Sequence, residues 1–305
     1  MIPLGKKIAI VGSGAIGLYY GGHLANAGQN VHFLMRSGYE AAKTQGLRIR
    51  SSEAGEIHLP EIHVHNRAEN IGPSDLIIIA IKATSNNDLP QILPPLLKEG
   101  TLLLTLQNGL GNEEFLADRW GAHRVLGGLC FVCLTREDPI TVNHLGHGTL
   151  SIGEFGGGSA GAAEEIAAIF AKTGMESLAV PNLLCERWRK LVWNIPFNGL
   201  SVALGGLSVD RILDDAQHLS DVRALMSEVI AVAHAEGCEI GPGFAEANID
   251  RTRSMGAYRP STLVDWQAGL ELEIEPIWGV PLRRAAAAGV PVPHLQNLYQ
   301  KLRAA

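Results

Sequence analysis

The chain has 305 residues, enough for two domains that each bury a core. Hydrophobic residues make up 46% and charged residues 18%, the balance of a water-soluble globular protein. A net charge of −6 argues against a broad nucleic-acid or anionic-membrane surface, and no run reaches the ~18 apolar residues of a membrane helix, so neither partner is expected.

Lys7 to Val11 is a short apolar run that predicts a strand. Lys6-Lys7, the apolar stretch after it and Ala25-Asn26-Ala27 superficially resemble a secretory signal. Gly12, Ser13, Gly14, Gly17, Gly21 and Gly22 interrupt that stretch, however, and a cytoplasmic protein is expected. Ala15 to Ala27 predicts a helix closed by Gly28, and Val31 to Met35 a second strand. Leu76 to Ile81 is unbroken and apolar, as a central parallel strand covered on both faces would be. Asn87 to Leu97 is read as helical despite its prolines, and Thr101 to Leu106 as another buried strand. From Gly121 to Gly153 several short β-prone pieces separated by glycines and Asp-Pro suggest appended antiparallel strands. A helix over Ala160 to Lys172 and a strand over Met175 to Ala179 come next, with Pro181-Asn182 as a hinge. Beyond it helices are predicted at Leu183–Leu204, Ser220–Ala235, Phe244–Arg253, Thr262–Ala287 and His294–Arg303.

The expected fold is therefore α/β: a Rossmann-type, doubly wound sheet over residues 1–180, then an all-helical domain over 181–305. A nucleotide-binding half joined to a helical half implies a cleft where substrate meets cofactor.

Gly12-Ser13-Gly14-Ala15-Ile16-Gly17 lies between the first strand and the first helix, the context its Gly-x-Gly-x-x-Gly spacing needs. Gly12 permits the tight turn, Gly14 lets the backbone approach a pyrophosphate, and Gly17 lets helix and strand pack closely. The helix N-terminus then offers N–H groups to the phosphates. An NAD site would place an acid at the end of the second strand; this chain has Met35-Arg36, which favours a 2′-phosphate and NADP(H). Lys82, after the strand ending at Ile81, is a second cation at the carboxyl edge of the sheet, although a surface lysine would look the same. Gln107-Asn108-Gly109-Leu110-Gly111 comes after a strand at that edge, where the Asn108 amide can bridge a ribose hydroxyl and a substrate.

In the second half, Lys190, Asn194 and Asn198 lie at i, i+4 and i+8 among apolar neighbours, one polar helical stripe that can face a pocket. A partly desolvated lysine can protonate a developing alkoxide near neutrality. Pro196 lacks an N–H and crowds the carbonyl four residues before it, so a kink is expected. Glu273 sits on a predicted helix among Glu271 and Glu275, and position alone does not choose between them. Ser261 reads most simply as a helix N-cap. The four cysteines, at 130, 133, 185 and 238, are too few for a disulfide framework. Cys130 and Cys133 are three apart in a predicted strand and so face opposite ways, unable to share a metal. His63/His65 and His144/His147 fall in predicted edge strands and loops without a metal constellation, and no metal is expected.

Taken in order, these features resemble the ketopantoate reductase (2-dehydropantoate 2-reductase) family nearly end to end. The matching residues are Gly12-x-Gly14-x-x-Gly17, Arg36, Ile81-Lys82, Gln107-Asn108-Gly109-x-Gly111 and Trp188-Arg-Lys190-Leu191-x-x-Asn194-x-x-x-Asn198. Ser261-x-x-x-Asp265, Glu273-Ile274 with Ile277-x-Gly279, and Ala288-Gly289-Val290-Pro291-Val292-Pro293 complete the pattern. The resemblance implies NADPH-dependent reduction of a 2-oxo acid to a 2-hydroxy acid, foremost ketopantoate to pantoate, a step of pantothenate biosynthesis. It casts Lys190 as general acid, and Asn194, Asn198, Ser261 and Asn108 as substrate contacts. Glu273 becomes a carboxylate near the nicotinamide and the substrate hydroxyl. Arg36 and Lys82 flank the 2′-phosphate, and Asn108 and Cys133 lie on the nicotinamide side. Departures are Ser208 where an asparagine is common, Trp278 before Gly279, the prolines Pro276 and Pro281, and Tyr258 at a variable polar position. They keep open a paralogue acting on another 2-oxo acid; 3-hydroxyacid dehydrogenases share the overall plan but not the Gln-Asn-Gly-Leu-Gly loop. A non-catalytic nucleotide sensor would need neither Lys190 nor Glu273. The helical half offers a surface for a homodimer.

Overall fold

The computed structural model describes residues 6–52, 55–157 and 161–304. It separates into two compact units, Met1–Gln107 with Asn112–Leu183, and Asn108–Gly111 with Leu184–Ala305.

The first unit is laid out as β1 (Lys7–Val11), α1 (Ala15–Asn26), β2 (Asn30–Leu34), α2 (Tyr39–Gln45), β3 (Leu47–Ser51), β4 (Gly55–Leu59) and β5 (His63–His65). It continues through β6 (Leu76–Ile79), α3 (Leu89–Ile92), β7 (Leu102–Thr105), α4 (Asn112–Trp120), β8 (Val125–Asp138), β9 (Thr141–Glu154), α5 (Ala162–Ala171) and β10 (Ser177–Ala179). Strands β5, β2, β1, β6, β7 and β8 lie side by side, all parallel, in the order of a dinucleotide-binding sheet. Side chains alternate across it. Ile8, Ile10, Leu76, Ile78 and Leu104 join the core under α1 and α5. Ala9, Val11, Ile77, Ile79 and Leu103 join the core with Leu89 of α3 and Leu116 of α4. Burial on both faces is why these strands read as unbroken apolar runs, and it makes the sheet doubly wound. Gly28, at φ +78°, ends α1 in the left-handed conformation its lack of a Cβ permits.

Several expectations are corrected. The region 121–153 holds not several short strands but two of fourteen residues, β8 and β9, paired antiparallel with register shifts after Phe131, Cys133 and Arg136. Those irregularities and the glycines break the alternation that would have marked long strands. Strand β9 also pairs with β3 over Thr141–His144 and with β10 over Leu150–Ile152, so His144 stands inside the sheet and not at an edge, while His147 lies between those pairings opposite Val132 of β8. The stretch 87–97 is not one helix: the single turn α3 lies between 3₁₀ turns at Ala83–Asp88 and Pro94–Leu96, because Pro90, Pro94 and Pro95 cannot supply helical N–H donors. Ala160, the expected start of α5, lies outside the described residues. Helices α2 and α4 and strands β3 and β4 were not anticipated.

The second unit is helical: α6 (Leu183–Ala203), α7 (Val209–Asp214), α8 (Ala216–Ala235), α9 (Phe244–Arg253), α10 (Ser261–Gln267), a π turn (Glu275–Gly279), α11 (Val280–Ala287) and α12 (Pro293–Arg303). Trp188, Leu191, Ile195, Met226, Val229, Trp278 and Leu295 are among its buried core residues. Asp215 starts α8 earlier than expected by accepting hydrogen bonds from the backbone of Gln217 and His218 at 2.8 and 2.9 Å. The single helix expected over 262–287 is instead α10, an irregular stretch, the π turn and α11. Gly269, at φ +66°, ends α10, and Pro276 and Pro281 deny a continuous ladder its donors. Cys185 of α6 and Cys238, just beyond the end of α8, form a disulfide with Cα atoms 5.0 Å apart, a pairing the cysteine count did not anticipate.

Candidate active site

At the carboxyl end of β1 the backbone makes the site. Gly12 has φ +108°, and a Cβ there would lie 2.5 Å from the Ile81 nitrogen. A Cβ on Gly17 would lie 1.8 Å from the Gly12 carbonyl oxygen, so only glycine lets α1 start this close to the turn. Gly14, by contrast, has nothing within 4 Å of a Cβ position and is extended at the N-cap of α1. No side chain caps that helix and its first turn, beginning Ala15-Ile16-Gly17, carries no acid. Its first N–H groups lack intrahelical acceptors. An open, uncapped, acid-free helix start against a glycine is what a pyrophosphate fits. Ser13 is held to β2 by its hydroxyl, which donates to the Leu34 carbonyl at 3.3 Å.

Met35 is buried, and Arg36 after it projects outward with 75% of its side chain exposed, 3.5 Å from Asp88. Lys82 is half-buried where the chain leaves β6. An amide network that the sequence did not reveal braces this edge. Gln107 donates to the Ile81 carbonyl at 3.0 Å and to Asn86 Oδ1 at 2.7 Å, and Asn86 donates to Asn112 Oδ1 at 2.9 Å. The glutamine was visible only as part of a motif; its partners had no marking pattern. Cys133 stands half-buried on β8 opposite Gly146.

In the helical unit the site is built from side chains. Helix α6 runs for 21 residues through Pro196. Trp278, fully buried, donates its indole N–H to the Ile195 carbonyl at 3.1 Å, next to the proline. That use makes Trp278 a structural residue, accounting for one departure from the family pattern. Trp188 is likewise an anchor, donating to Glu236 at 2.8 Å, a carboxylate also held by Arg284 at 2.9 Å.

Lys190 is half-buried on the same helix and donates from Nζ to Asn108 Oδ1 at 2.9 Å, joining residues 82 apart in the chain. The next two residues of its loop hold Asn108 in place. Leu110 donates its N–H to the Pro276 carbonyl at 2.9 Å, and Gly109, at φ +83°, lies so close to Pro276 that a Cβ would meet its carbonyl oxygen at 2.3 Å. Asn194 and Asn198 are 6% and 2% exposed, and Asn198 Oδ1 is buried with no hydrogen-bond partner among the described residues. An unsatisfied buried acceptor costs free energy unless a ligand completes it. Glu273 is half-buried, not on a helix but in the irregular stretch just before the π turn. Ser261 is exposed and is the first helical residue of α10; Pro260, not Ser261, takes the capping position. Ser208 takes the N-cap position of α7 without capping it, since its hydroxyl donates to the Asp210 carboxylate.

Residues 8–157 match the family described as ketopantoate reductase PanE/ApbA, and residues 182–305 match its C-terminal counterpart. A 2-dehydropantoate 2-reductase of a Nostoc species is 37% identical over 303 residues, covering 98% of this chain and 94% of that protein. The chain belongs to the ketopantoate reductase family. The crystal structure of 2-dehydropantoate 2-reductase from Geobacter metallireducens superposes with a TM-score of 0.95 at 42% identity, covering 98% and 99% of the two chains. The one from Methylococcus capsulatus does so with 0.90 at 34% identity, covering 98% and 96%. As a ketopantoate reductase family member the chain is an NADPH-dependent oxidoreductase. Among the described residues no group of histidines, cysteines and acids could hold a metal, and no helix is long and apolar enough to cross a membrane.

Proposed function

We propose that this protein reduces 2-dehydropantoate to pantoate with NADPH, Lys190 acting as general acid. The observation that carries the reading is the Lys190–Asn108 hydrogen bond at 2.9 Å, on the helix face that also presents the buried asparagines. Bound NADPH supplies a hydride to the keto carbon. The Lys190 ammonium gives a proton to the oxygen that becomes negative, so the products are the 2-hydroxy acid and NADP+. Asn108 accepts from Lys190 and so orients the ammonium for that transfer. Asn198 offers its unpaired oxygen to a substrate hydroxyl, with Asn194 and Ser261 as further contacts and Glu273 as the carboxylate beside the reacting groups. Gly12 to Gly17 hold the pyrophosphate, Arg36 and Lys82 the 2′-phosphate, and Asn108 and Cys133 the nicotinamide side.

On this reading residues 1–180 bind the nucleotide and 181–305 carry the chemistry, in a cytoplasmic protein that works as a homodimer. The test is NADPH oxidation with a panel of 2-oxo acids. The highest kcat/KM with 2-dehydropantoate is expected, and turnover of other members without it would replace this substrate with another. One observation favours that second reading: Ser208, where an asparagine is common, spends its hydroxyl on Asp210. Sedimentation at assay concentrations checks the dimer.

A further inference from the structure

The proton donor and the asparagines use only part of the α6 face. Each helical residue advances about 100° around the axis. Lys190 and Phe197 therefore run down the middle of the face, Asn194 and Asn198 fall on one flank, and Trp193 falls on the other. Trp193 stands three residues from Lys190, a spacing at which helical side chains are neighbours.

The indole of Trp193 is held from several sides. Its N–H donates to Thr252 Oγ1 at 2.9 Å, and that buried hydroxyl donates in turn to the Asn248 carbonyl at 2.6 Å. Its ring lies 5.2 Å from the Phe197 ring and 6.2 Å from that of Tyr258, centre to centre. The Tyr258 carbonyl accepts the N–H of Val209 at 3.0 Å, which fixes the tyrosine's backbone to the start of α7. Phe197 is buried, but Trp193 and Tyr258 are each half-buried and keep accessible surface. A ring with a hydrogen bond at one end and aromatic neighbours beside it has few alternative rotamers, so this flank is a stiff wall.

An acid whose keto oxygen meets Lys190 and whose polar groups meet Asn194 and Asn198 has its apolar substituent left for the Trp193 flank. We infer that Trp193 and Tyr258 form the wall that sets the size of that substituent, admitting a compact branched aliphatic chain and rejecting an aryl group. The inference rests on Lys190 as the proton donor. Methyl groups on a branched carbon pack on aromatic faces without leaving a polar group unsatisfied, whereas an aryl ring needs the volume the indole fills.

The experiment compares 2-dehydropantoate with phenylglyoxylate, an aryl 2-oxo acid, in the unmodified enzyme, Trp193→Val, Tyr258→Leu and Thr252→Val. The last removes the hydroxyl that holds the indole, along with its own bond to the Asn248 carbonyl, leaves the ring itself in place, and keeps the test alive if Trp193→Val does not fold. The unmodified enzyme should favour the aliphatic acid. The aryl-to-aliphatic ratio of kcat/KM should rise about tenfold or more in Trp193→Val, and by less but in the same direction in the other two. NADPH affinity should hold throughout. A preference of the unmodified enzyme for the aryl acid, or a ratio within about twofold of its starting value in every folded variant, overturns the wall. Lys190→Ala, assayed alongside, separates the two ideas. Full turnover there would remove the proton donor on which the wall depends, while loss of turnover with an unmoved ratio would remove the wall alone.

Discussion

On the proposed reading, the ligand-facing surface is backbone at the Gly12–Gly17 turn and side chain along α6. The turn works by what is missing: no Cβ on Gly17 to strike Gly12, none on Gly14 to block the helix start, and no acid in the first turn of α1. The α6 face works by what is present, a lysine tied to an asparagine from a distant loop, two buried amides and a clamped indole. A backbone site tolerates little variation and binds the part of the ligand that all relatives share. A side-chain site can change one residue at a time, so the proposed reading places substrate choice there.

The sharpest way to break this comparison is Lys190→Ala. If chemistry resides on α6 and nucleotide binding on the turn, kcat should fall about 1,000-fold while the NADPH dissociation constant stays within about twofold. Stopped-flow turnover and fluorescence titration of NADPH read the two separately. Equal losses in both would mean that the lysine serves the nucleotide and that the division of labour is wrong.

The same contrast governs what could be read from the chain. The turn was legible because glycine spacing between a strand and a helix is dictated by steric contact, and Leu76 to Ile79 because burial on both faces forces an unbroken apolar run. The Lys190, Asn194 and Asn198 stripe was legible because helical periodicity puts those residues on one face. Asn108 as the direct partner of Lys190 was not, since nothing local signals a bond across 82 residues. Glu273 was placed on a helix because Leu-Glu-Leu-Glu-Ile-Glu is compatible with one; Gly269 and Pro276 break the ladder on either side. Trp278 stands in the sequence only as a departure from the family pattern, because nothing local signals the bond of its indole to the Ile195 carbonyl.

The two units should also fail differently under stress. The Cys185–Cys238 bridge closes a loop of 53 residues' separation in the helical unit, and the chain-entropy model gives such a cross-link about 4 kcal/mol. Reduction, or Cys238→Ala, should lower the melting temperature and expose residues 184–305 to protease before 1–183. An unchanged melting temperature would show that the bridge contributes nothing to stability.

Acid should act on the other unit. His23 of α1 is buried beside Tyr19 and His144, and its pKa is lowered from 6.5 to about 4, first by desolvation and then by the neighbouring histidine. The unfolded chain takes up this proton near the ordinary value and the folded chain only near the lowered one. The unfolded state therefore binds more protons between those limits, and stability falls as pH drops through the window, by at most about 1.4 kcal/mol per pH unit. His32, lowered to about 4 by desolvation and then by His63 and His65, acts in the same direction. Urea titrations from neutral to acid pH should show the slope, and His23→Phe should reduce it. An unchanged slope would assign the acid sensitivity elsewhere.

The smallest effect sharpens the comparison most, because it concerns a side chain on the backbone-built site. Arg36 is three-quarters exposed and its ion pair with Asp88, at 3.5 Å, is also exposed. Such a pair contributes little, so turning the guanidinium to a 2′-phosphate sacrifices almost nothing. Arg36→Ala should therefore weaken NADPH about tenfold, roughly 1.4 kcal/mol, and leave NADH within about twofold. Asp88→Asn removes the competing carboxylate and should tighten NADPH slightly while leaving NADH alone. Parallel titrations of both nucleotides decide the matter, because the phosphate is the only difference between them. If Arg36→Ala weakens both alike, the arginine steadies the end of β2, and cofactor choice at this turn is not made by that side chain.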